Sequence, residues 1–230
     1  MTPIRITMQH TTICVTGGTG FVGEEVIFRL LENGHRVRAL ARSERSANKL
    51  SFTREKFPSR LEFIYGDATE PNDIMRALDG CTALIHLVGI RREEIKRTGL
   101  SYADIDLAST LASTIALQRT GVQRILLLSA GAIGNSEYIR TKAQAEQAVI
   151  DAKLDWTIFR PAFILGPGQQ WPVLMGPMLW FLGLFPGKFG DTARRSDNIT
   201  RTQLANALVS TLRDDSTIGK ILEVPELKRY

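Results

Sequence analysis

The stretch Thr16-Gly17-Gly18-Thr19-Gly20-Phe21-Val22-Gly23 restricts this chain more than any other. An apolar run, Thr12-Ile13-Cys14-Val15-Thr16, leads into it. Out of it runs a segment whose apolar residues recur at helical spacing: Val22, Val26 and Leu30, with Ile27 and Leu31 beside them. The order predicts strand, tight turn and helix, the helix from about Phe21 to Leu31. Each glycine has its own physical task in such a unit. Gly17 permits the turn off the strand, Gly20 lets the backbone approach a pyrophosphate, and Gly23 lets the helix pack closely on the strand. The unpaired N–H groups and positive dipole end of the helix then face the turn, where phosphate binds well. Gly17, Thr19, Gly20, Phe21, Val22 and Gly23 are therefore the expected cradle of a dinucleotide.

The rest of the chain repeats the alternation. Asn33-Gly34 ends the first helix. A second strand follows at His35–Ala41, a polar helical stretch from Ser43 to Phe57, and a third strand at Leu61–Tyr65. A helix begins at about Glu70-Pro71 and ends near Asp79-Gly80. Thr82–Val88 is apolar throughout, as expected of a strand in the middle of a parallel sheet. Arg91–Ser101 is charged and unassigned. Tyr102–Arg119 reads as one long helix with Ile105, Leu107, Leu111, Ile115 and Leu117 as its apolar positions, closed by Gly121-Val122. Ile125–Ala130 is the fifth strand. A last helix covers Ile199 to about Arg213, and Ile221–Val224 is a final strand. The pattern predicts an α/β fold, a doubly wound parallel sheet with right-handed crossovers and a small C-terminal substrate lobe. A chain of 230 residues with 43% hydrophobic content suits one such domain, with residues 162–200 as an apolar lid insertion.

Composition narrows the partners. The net charge is +5, yet no Lys/Arg run exceeds two residues (Arg91-Arg92, Arg194-Arg195) and no nucleic-acid motif is visible. The charge reads as a solvated surface plus a phosphate site, with no nucleic acid as partner. Cys14 and Cys81 fall in or beside buried strands and read as small core hydrophobes. His10, His35 and His86 lack ligand spacing, so no metal is expected. The N-terminus has no apolar run, which makes cytoplasmic location the expectation.

Several residues at strand ends carry candidate chemistry. Arg42 ends the second strand where an acidic residue would bind a ribose 2′-hydroxyl and an arginine accommodates a 2′-phosphate. It points to NADP(H), while Glu44 keeps NAD(H) open. Gly89 ends the fourth strand, where the backbone can pass close to a cofactor ribose. Ser129 ends the fifth strand, at the carboxyl edge where ligands bind in such sheets. Tyr138 and Lys142 follow, four apart on a helix and so on one face. A phenol is a poor acid–base near neutrality, and a lysine ammonium beside it lowers its pKa. Tyr138 could then exchange a proton with a carbonyl or alcohol while hydride moves to or from nicotinamide. Ser129 would hydrogen-bond the substrate oxygen and Lys142 would also hold the nicotinamide ribose.

The spacing G-x-x-G-x-x-G at Gly17, Gly20 and Gly23 resembles the short-chain dehydrogenase/reductase superfamily, whose fold is a Rossmann domain. T-G-G-T-G-F-V-G is similar to its extended and atypical branches. The Ser129 strand, Tyr138-Ile139-Arg140-Thr141-Lys142 and Leu154-Asp155-Trp156-Thr157-Ile158-Phe159-Arg160-Pro161-Ala162 resemble the atypical members, among them the complex I accessory-subunit relatives and the NmrA-like proteins. The resemblance covers about residues 11–170 well and the last thirty residues loosely. It implies that Asp67 and Ala68, after Gly66, lie near the adenine, and it adds Pro161 to the cofactor residues. Asp67 could equally cap the helix that follows. Asp106 stands where classical members have a structural Asn. Leu87-Val88-Gly89 keeps only the glycine of the family's N-A-G, and Ser129 and Tyr138 are closer in sequence than in many active members.

Pro161 to Gly187 contains no charged residue and holds Trp171, Leu174, Met175, Trp180, Phe181 and Phe185 between prolines and glycines. It is too interrupted for a transmembrane helix. An apolar substrate lid is the favoured reading; an oligomer or membrane-surface contact flanked by Lys188, Arg194 and Arg195, or plain core, are the others. A lid implies a small apolar or quinone-like substrate, and a homo-oligomer stays open. Two functions follow. One is an NADP(H)-dependent reductase or dehydrogenase acting through Ser129, Tyr138 and Lys142. The other is a non-catalytic NAD(P)H sensor or assembly protein that docks a partner through residues 171–185.

Overall fold

The computed structural model describes residues 11–131, 136–168, 195 and 197–230. Its strands are β1 (Thr12–Thr16), β2 (Arg36–Ala41), β3 (Leu61–Tyr65), β4 (Ala83–His86), β5 (Arg124–Leu128), β6 (Asp155–Arg160), β7 (Phe163–Leu165), β8 (Asn198–Thr200) and β9 (Lys220–Glu223). Seven of them form one parallel sheet in the order β3-β2-β1-β4-β5-β6-β9. The chain runs outward from β1 to β3, then returns to place β4 on the other side of β1. Strand order reverses there, and the crevice at the carboxyl ends of β1 and β4 is where such sheets bind ligands.

The helices are α1 (Phe21–Glu32), α2 (Glu44–Ala47), α3 (Ser51–Lys56), α4 (Pro71–Leu78), α5 (Arg92–Thr98), α6 (Ala108–Thr120), α7 (Ser136–Asp151), α8 (Arg201–Thr211) and α9 (Val224–Leu227). Alternate strand residues supply two cores, one on each face of the sheet. Ile13, Val15, Val37, Ala39 and Phe159 pack with Val26, Ile27 and Leu30 of α1 and Leu204 and Leu208 of α8. Cys14, Leu40, Leu84, Ile125 and Ile158 pack with Ile74 and Leu78 of α4, Ala112, Ala116 and Leu117 of α6, and Val149 of α7. Both cysteines are buried thiols, Cys14 in this second core with its pKa raised by desolvation and Cys81 beside it, pushed up to about 11.

The stretch 43–57 is helical, in three pieces: Ser43 and Ser46 form a capping box for α2, a 3-10 turn follows at Asn48–Leu50, and α3 runs on from it. One expectation needs correction: the segment 102–119 is not one α-helix. It opens with a π-helical turn at Ala103–Leu107 before α6 begins. A π turn carries an extra residue and shifts the helical phase by about 100°. Leu111 and Ile115 are consequently 43% and 38% exposed, and the buried residues of α6 are Ser109, Thr110, Ala112, Ser113, Thr114, Ala116 and Leu117. The charged segment after Arg91 forms α5, closed by Gly99 in the left-handed region at φ 75°.

β7 and β8 pair in parallel, Phe163 with Asn198 and Leu165 with Thr200. They join the two ends of the segment expected to form a lid. Residues 169–194, which include the 171–185 stretch, lie outside the described residues. Thr200 caps α8 through a reciprocal box with Gln203, and α8 lies along α1. Just past β7, Gly166 sits against Phe21, so close that a Cβ there would come 2.7 Å from the ring. The lobe is thus anchored on the first residue of α1.

Gly23 is the position least tolerant of a side chain. A Cβ there would stand 2.3 Å from the Gly17 carbonyl oxygen and 2.6 Å from Gly18 Cα, both backbone atoms that cannot swing away. Gly23→Ala should destabilise the fold by about 2 kcal/mol through overpacking, lowering Tm by roughly 4–8 °C. Urea and thermal unfolding check this; an unchanged midpoint would contradict the contact.

Candidate active site

The glycine turn meets the end of β4 at the switch point. Gly17 has φ 72°, and a Cβ on it would lie 2.7 Å from the Leu87 carbonyl carbon and oxygen. Only glycine meets both the dihedral and the space. The Gly20 N–H donates to the Gly17 carbonyl at 3.1 Å, which closes the turn. Gly20 is the N-cap of α1 in extended conformation, and no side chain caps the helix. The first-turn N–H groups therefore remain available to an anion. Val22 is buried in the core and can contribute only backbone there. Phe21 lies between two guanidinium groups, Arg91 at 6.0 Å and Arg201 at 5.3 Å from its ring centre. Arg201 also donates to the Phe21 carbonyl at 3.2 Å and pairs with Glu25 at 3.3 Å. Sequence reasoning misses both arginines, because Arg201 reaches Phe21 only when the lobe folds back over α1 and Arg91 reaches it from the segment after β4. Thr19 is half-buried in the same turn.

Arg42 directly follows β2. Its side chain is 72% exposed and lies 3.6 Å from the Glu94 carboxylate of α5. Glu44 heads α2, and the Ser43 hydroxyl is occupied by the capping box. At the end of β3, Asp67 does not cap α4: Glu70 is its N-cap and Pro71 its first residue. The Asp67 carboxylate instead accepts the Thr69 N–H and hydroxyl, each at 2.9 Å, while the Asp67 N–H donates to Asp73 at 2.8 Å. In place of a cap, Asp67 builds a local turn, its short polar side chain bonding the backbone two residues on. Ala68 is half-buried against the second core.

The remaining candidates converge from β4, the π turn, β5 and α7. Lys142 is buried with its ammonium 2.7 Å from the buried carboxylate of Asp106, an ion pair rather than an aligned hydrogen bond. The other Asp106 oxygen accepts the Ile90 N–H at 2.8 Å. Gly89 lies against this pair: a Cβ on it would stand 3.3 Å from Asp106 Oδ1 and 3.6 Å from Lys142 Nζ. The Tyr138 ring is tilted on Tyr102 at 4.9 Å between centres, with Lys142 Nζ 5.8 Å from its own centre. Tyr138 and Lys142 are therefore neighbours, as their spacing predicts.

The electrostatics differ from the expectation. Burial is the largest influence on Tyr138 and raises its pKa; Lys142 opposes it, and Asp106 and Tyr102 raise it further. The net direction is upward, so the nearby ammonium does not yield a low-pKa phenol here. Ser129 is buried, and its hydroxyl donates to the Glu146 carboxylate. Arg160, at the end of β6, donates its Nε to the same carboxylate at 2.9 Å and pairs with its second oxygen. Tyr138, Lys142 and Glu146 follow at i, i+4 and i+8, so the Glu146 role is within reach of a helical reading of α7. Pro161 accepts the Gly131 N–H at 2.8 Å and so fixes the loop after β5.

His86, the last residue of β4, is fully buried among hydroxyls. Thr16 and Ser113 lie 2.8 and 3.1 Å from Nδ1, and Ser109 and Thr110 lie 3.3 and 3.4 Å from Nε2. These groups can serve either tautomer. Desolvation, with Lys142 adding to it, lowers the His86 pKa to about 3. Among the described residues no three His, Cys, Asp or Glu side chains could hold a metal ion. No described helix is long and apolar enough to cross a membrane.

A depressed histidine pKa has a defined sign. Below pH 6.5 the unfolded chain takes up a proton that folded His86 refuses until about pH 3, so stability falls as pH falls through that window. The slope from this residue approaches about 1.4 kcal/mol per pH unit. Urea unfolding between pH 7.5 and 5 should show the loss, and His86→Gln, though less stable, should show a shallower pH slope. An unaltered slope would mean that His86 takes its proton in the folded protein.

Comparison with known proteins gives a consistent picture. A family model described as NAD(P)H-binding matches residues 17–215. The chain is 31% identical to sterol demethylase protein B of Methylococcus capsulatus, over 72% of this chain and 55% of that one. It is 27% identical to the mitochondrial NADH dehydrogenase [ubiquinone] 1 alpha subcomplex subunit 9 of Arabidopsis thaliana, over 96% of this chain and 55% of that one. Identity to dihydroflavonol 4-reductase of Dianthus caryophyllus is 25%, over 77% and 52% of the two chains. The chain thus spans about half the length of these relatives. Among solved structures, a Bacillus halodurans protein described as an NAD-dependent epimerase/dehydratase superposes with TM-score 0.67 at 17% identity, covering 95% of this chain and 99% of that one. MoeE5, solved with UDP-glucose and NAD, superposes with TM-score 0.66 at 19% identity, over 94% and 79% of the two chains.

Proposed function

Because the chain belongs to the NAD(P)H-binding family, the family expected from its resemblance to atypical short-chain dehydrogenase/reductases, we propose that it is an NADP(H)-dependent reductase of an apolar carbonyl or quinone-like substrate. The observation that carries this reading is the meeting of Lys142 and Asp106 beside Gly89, with the Tyr138 ring next to Lys142, at the same switch point as the glycine turn.

The residues present fit a dinucleotide. The turn at Gly17 leaves no room for a Cβ, the N-terminus of α1 has no side-chain cap, and the missing side chain of Gly89 leaves the approach to Lys142 clear. Gly17 to Gly23 would hold the pyrophosphate, Gly89 and Lys142 the nicotinamide ribose, and Asp67 and Ala68 the adenine side. Arg42 supports NADP(H), since its guanidinium is exposed at the end of β2; Glu94 shares its charge and keeps NAD(H) competitive.

When bound, the reduced nicotinamide supplies hydride to the carbonyl carbon. The carbonyl electron pair moves to oxygen, and that oxygen takes the proton of Tyr138, which regains one from water. Ser129 has a single hydroxyl proton, and it is directed at Glu146. Ser129 therefore acts by accepting a hydrogen bond from the product hydroxyl. Arg160 and Glu146 keep it in that orientation.

One observation favours the alternative, a cofactor-bound sensor or assembly protein. Two of the candidate polar groups are already engaged within the protein, Lys142 by Asp106 and Ser129 by Glu146. Tyr138→Phe separates the two. With NADPH and a panel of apolar aldehydes, ketones and quinones, the reductase should lose turnover by about 100-fold or more, with NADPH affinity unchanged. Retained turnover would remove Tyr138 from the mechanism. Arg42→Ala should weaken NADPH by about tenfold, the worth of one charge-assisted contact, and leave NADH unaffected in calorimetric titration. An equal effect on both would end the 2′-phosphate role.

A further inference from the structure

The pair Lys142–Asp106 departs from what a tyrosine-activating lysine requires. Lys142 lies on α7, one turn from Tyr138, while Asp106 comes from the π turn and is almost wholly buried. One Asp106 oxygen is fixed by the Ile90 N–H and the other has Lys142 at 2.7 Å. If the ammonium swung toward the Tyr138 hydroxyl, it would abandon a carboxylate that is almost wholly buried. An uncompensated buried charge is costly, so Lys142 remains on Asp106. The charged and titratable groups that shift Tyr138 include Lys142 on its own helix, and Asp106 and Tyr102 on the adjoining turn. His86 borders Lys142 but is neutral above about pH 3.

We propose that Asp106 is a positioning residue that commits the Lys142 charge to its own carboxylate and so withholds it from the Tyr138 phenol. The inference rests on the reading of Tyr138 as the acid and adds what holds its lysine neighbour. A Tyr138 phenolate would need the ammonium beside it, and the pairing keeps that charge on Asp106. Burial is the largest influence on Tyr138 and raises its pKa, Lys142 opposes it, and Asp106 adds to the rise.

The test reads Tyr138 itself, on the full chain without cofactor, by alkaline titration of tyrosinate absorbance, with Tyr138→Phe subtracted to isolate its signal. In the wild type the Tyr138 midpoint should lie above the ordinary tyrosine value of about 10. Asp106→Asn keeps an acceptor for the Ile90 N–H and should lower that midpoint by at least one pH unit. The same substitution in a Lys142→Gln background should lower it by less than half as much, because no ammonium remains to be released. An equal fall in both backgrounds, or no fall in either, would overturn the proposal. Asp106→Ser serves the same comparison should the Asn variant fail to fold. Since absorbance does not depend on turnover, the role of Asp106 can be tested even in a protein that proves inactive with every carbonyl, and the two readings can fail separately.

Discussion

The close approach of two backbone segments, the turn after β1 and the end of β4, is the constraint on which the rest depends. Gly17 has no space for a side chain against Leu87, and Gly23 has none against Gly17 and Gly18. These contacts draw α1 onto the sheet at the point where strand order reverses. They leave the uncapped end of α1 facing the crevice, bring Gly89 beside the same opening, and allow Phe21 to seat the C-terminal lobe through Gly166 and Arg201. A larger residue in the turn would move all of these together. The phosphate cradle and the packing of the first core are consequently one structural feature.

Around that opening, charge is arranged in closed pairs. Lys142 is answered by Asp106, Glu146 by Arg160 and Ser129, and His86 is neutral within four hydroxyls. Buried charges cost free energy unless paired, and each here has its partner on a different element. Such pairs hold α7, the π turn, β5 and β6 in register at the carboxyl edge of the sheet. They also decide which protons are free to move. Burial pushes the Tyr138 pKa up, Lys142 opposes this, and the carboxylate behind Lys142 adds to the rise. The chemistry proposed for this site follows from that balance, since the bare spacing of a tyrosine and a lysine would suggest the opposite.

Much of the frame is legible in the sequence because it is local. The strand–turn–helix of Thr12 to Glu32 is announced by its glycines and its helical apolar stripe, β1 to β4 lie within the runs that apolar patterning marks out, and β5 overlaps its run but starts one residue earlier, at Arg124. What fails is what depends on distant partners or a change of helical phase. The π turn at Ala103–Leu107 breaks the register that an inward Leu111 and Ile115 would need. Sequence offers Asp67 as a ligand, a cap or both, and its neighbours replace the cap with a local turn. Tyr138 and Lys142 do meet, but nothing local to them tells that Asp106 takes up the lysine or that Glu146 takes up Ser129. Those partners are fixed by the packing of α7 against the π turn and β6, which no window of sequence contains.

The most direct test of the central claim is calorimetric titration of the purified cofactor-free protein with NADPH and, separately, with NADH. The account predicts saturable binding of NADPH at one site per chain, tighter than NADH. Binding of NADH in preference would leave the cradle in place and overturn the role of Arg42. Binding of neither would contradict the account at its root, because the turn at Gly17 and the open end of α1 would then serve packing alone.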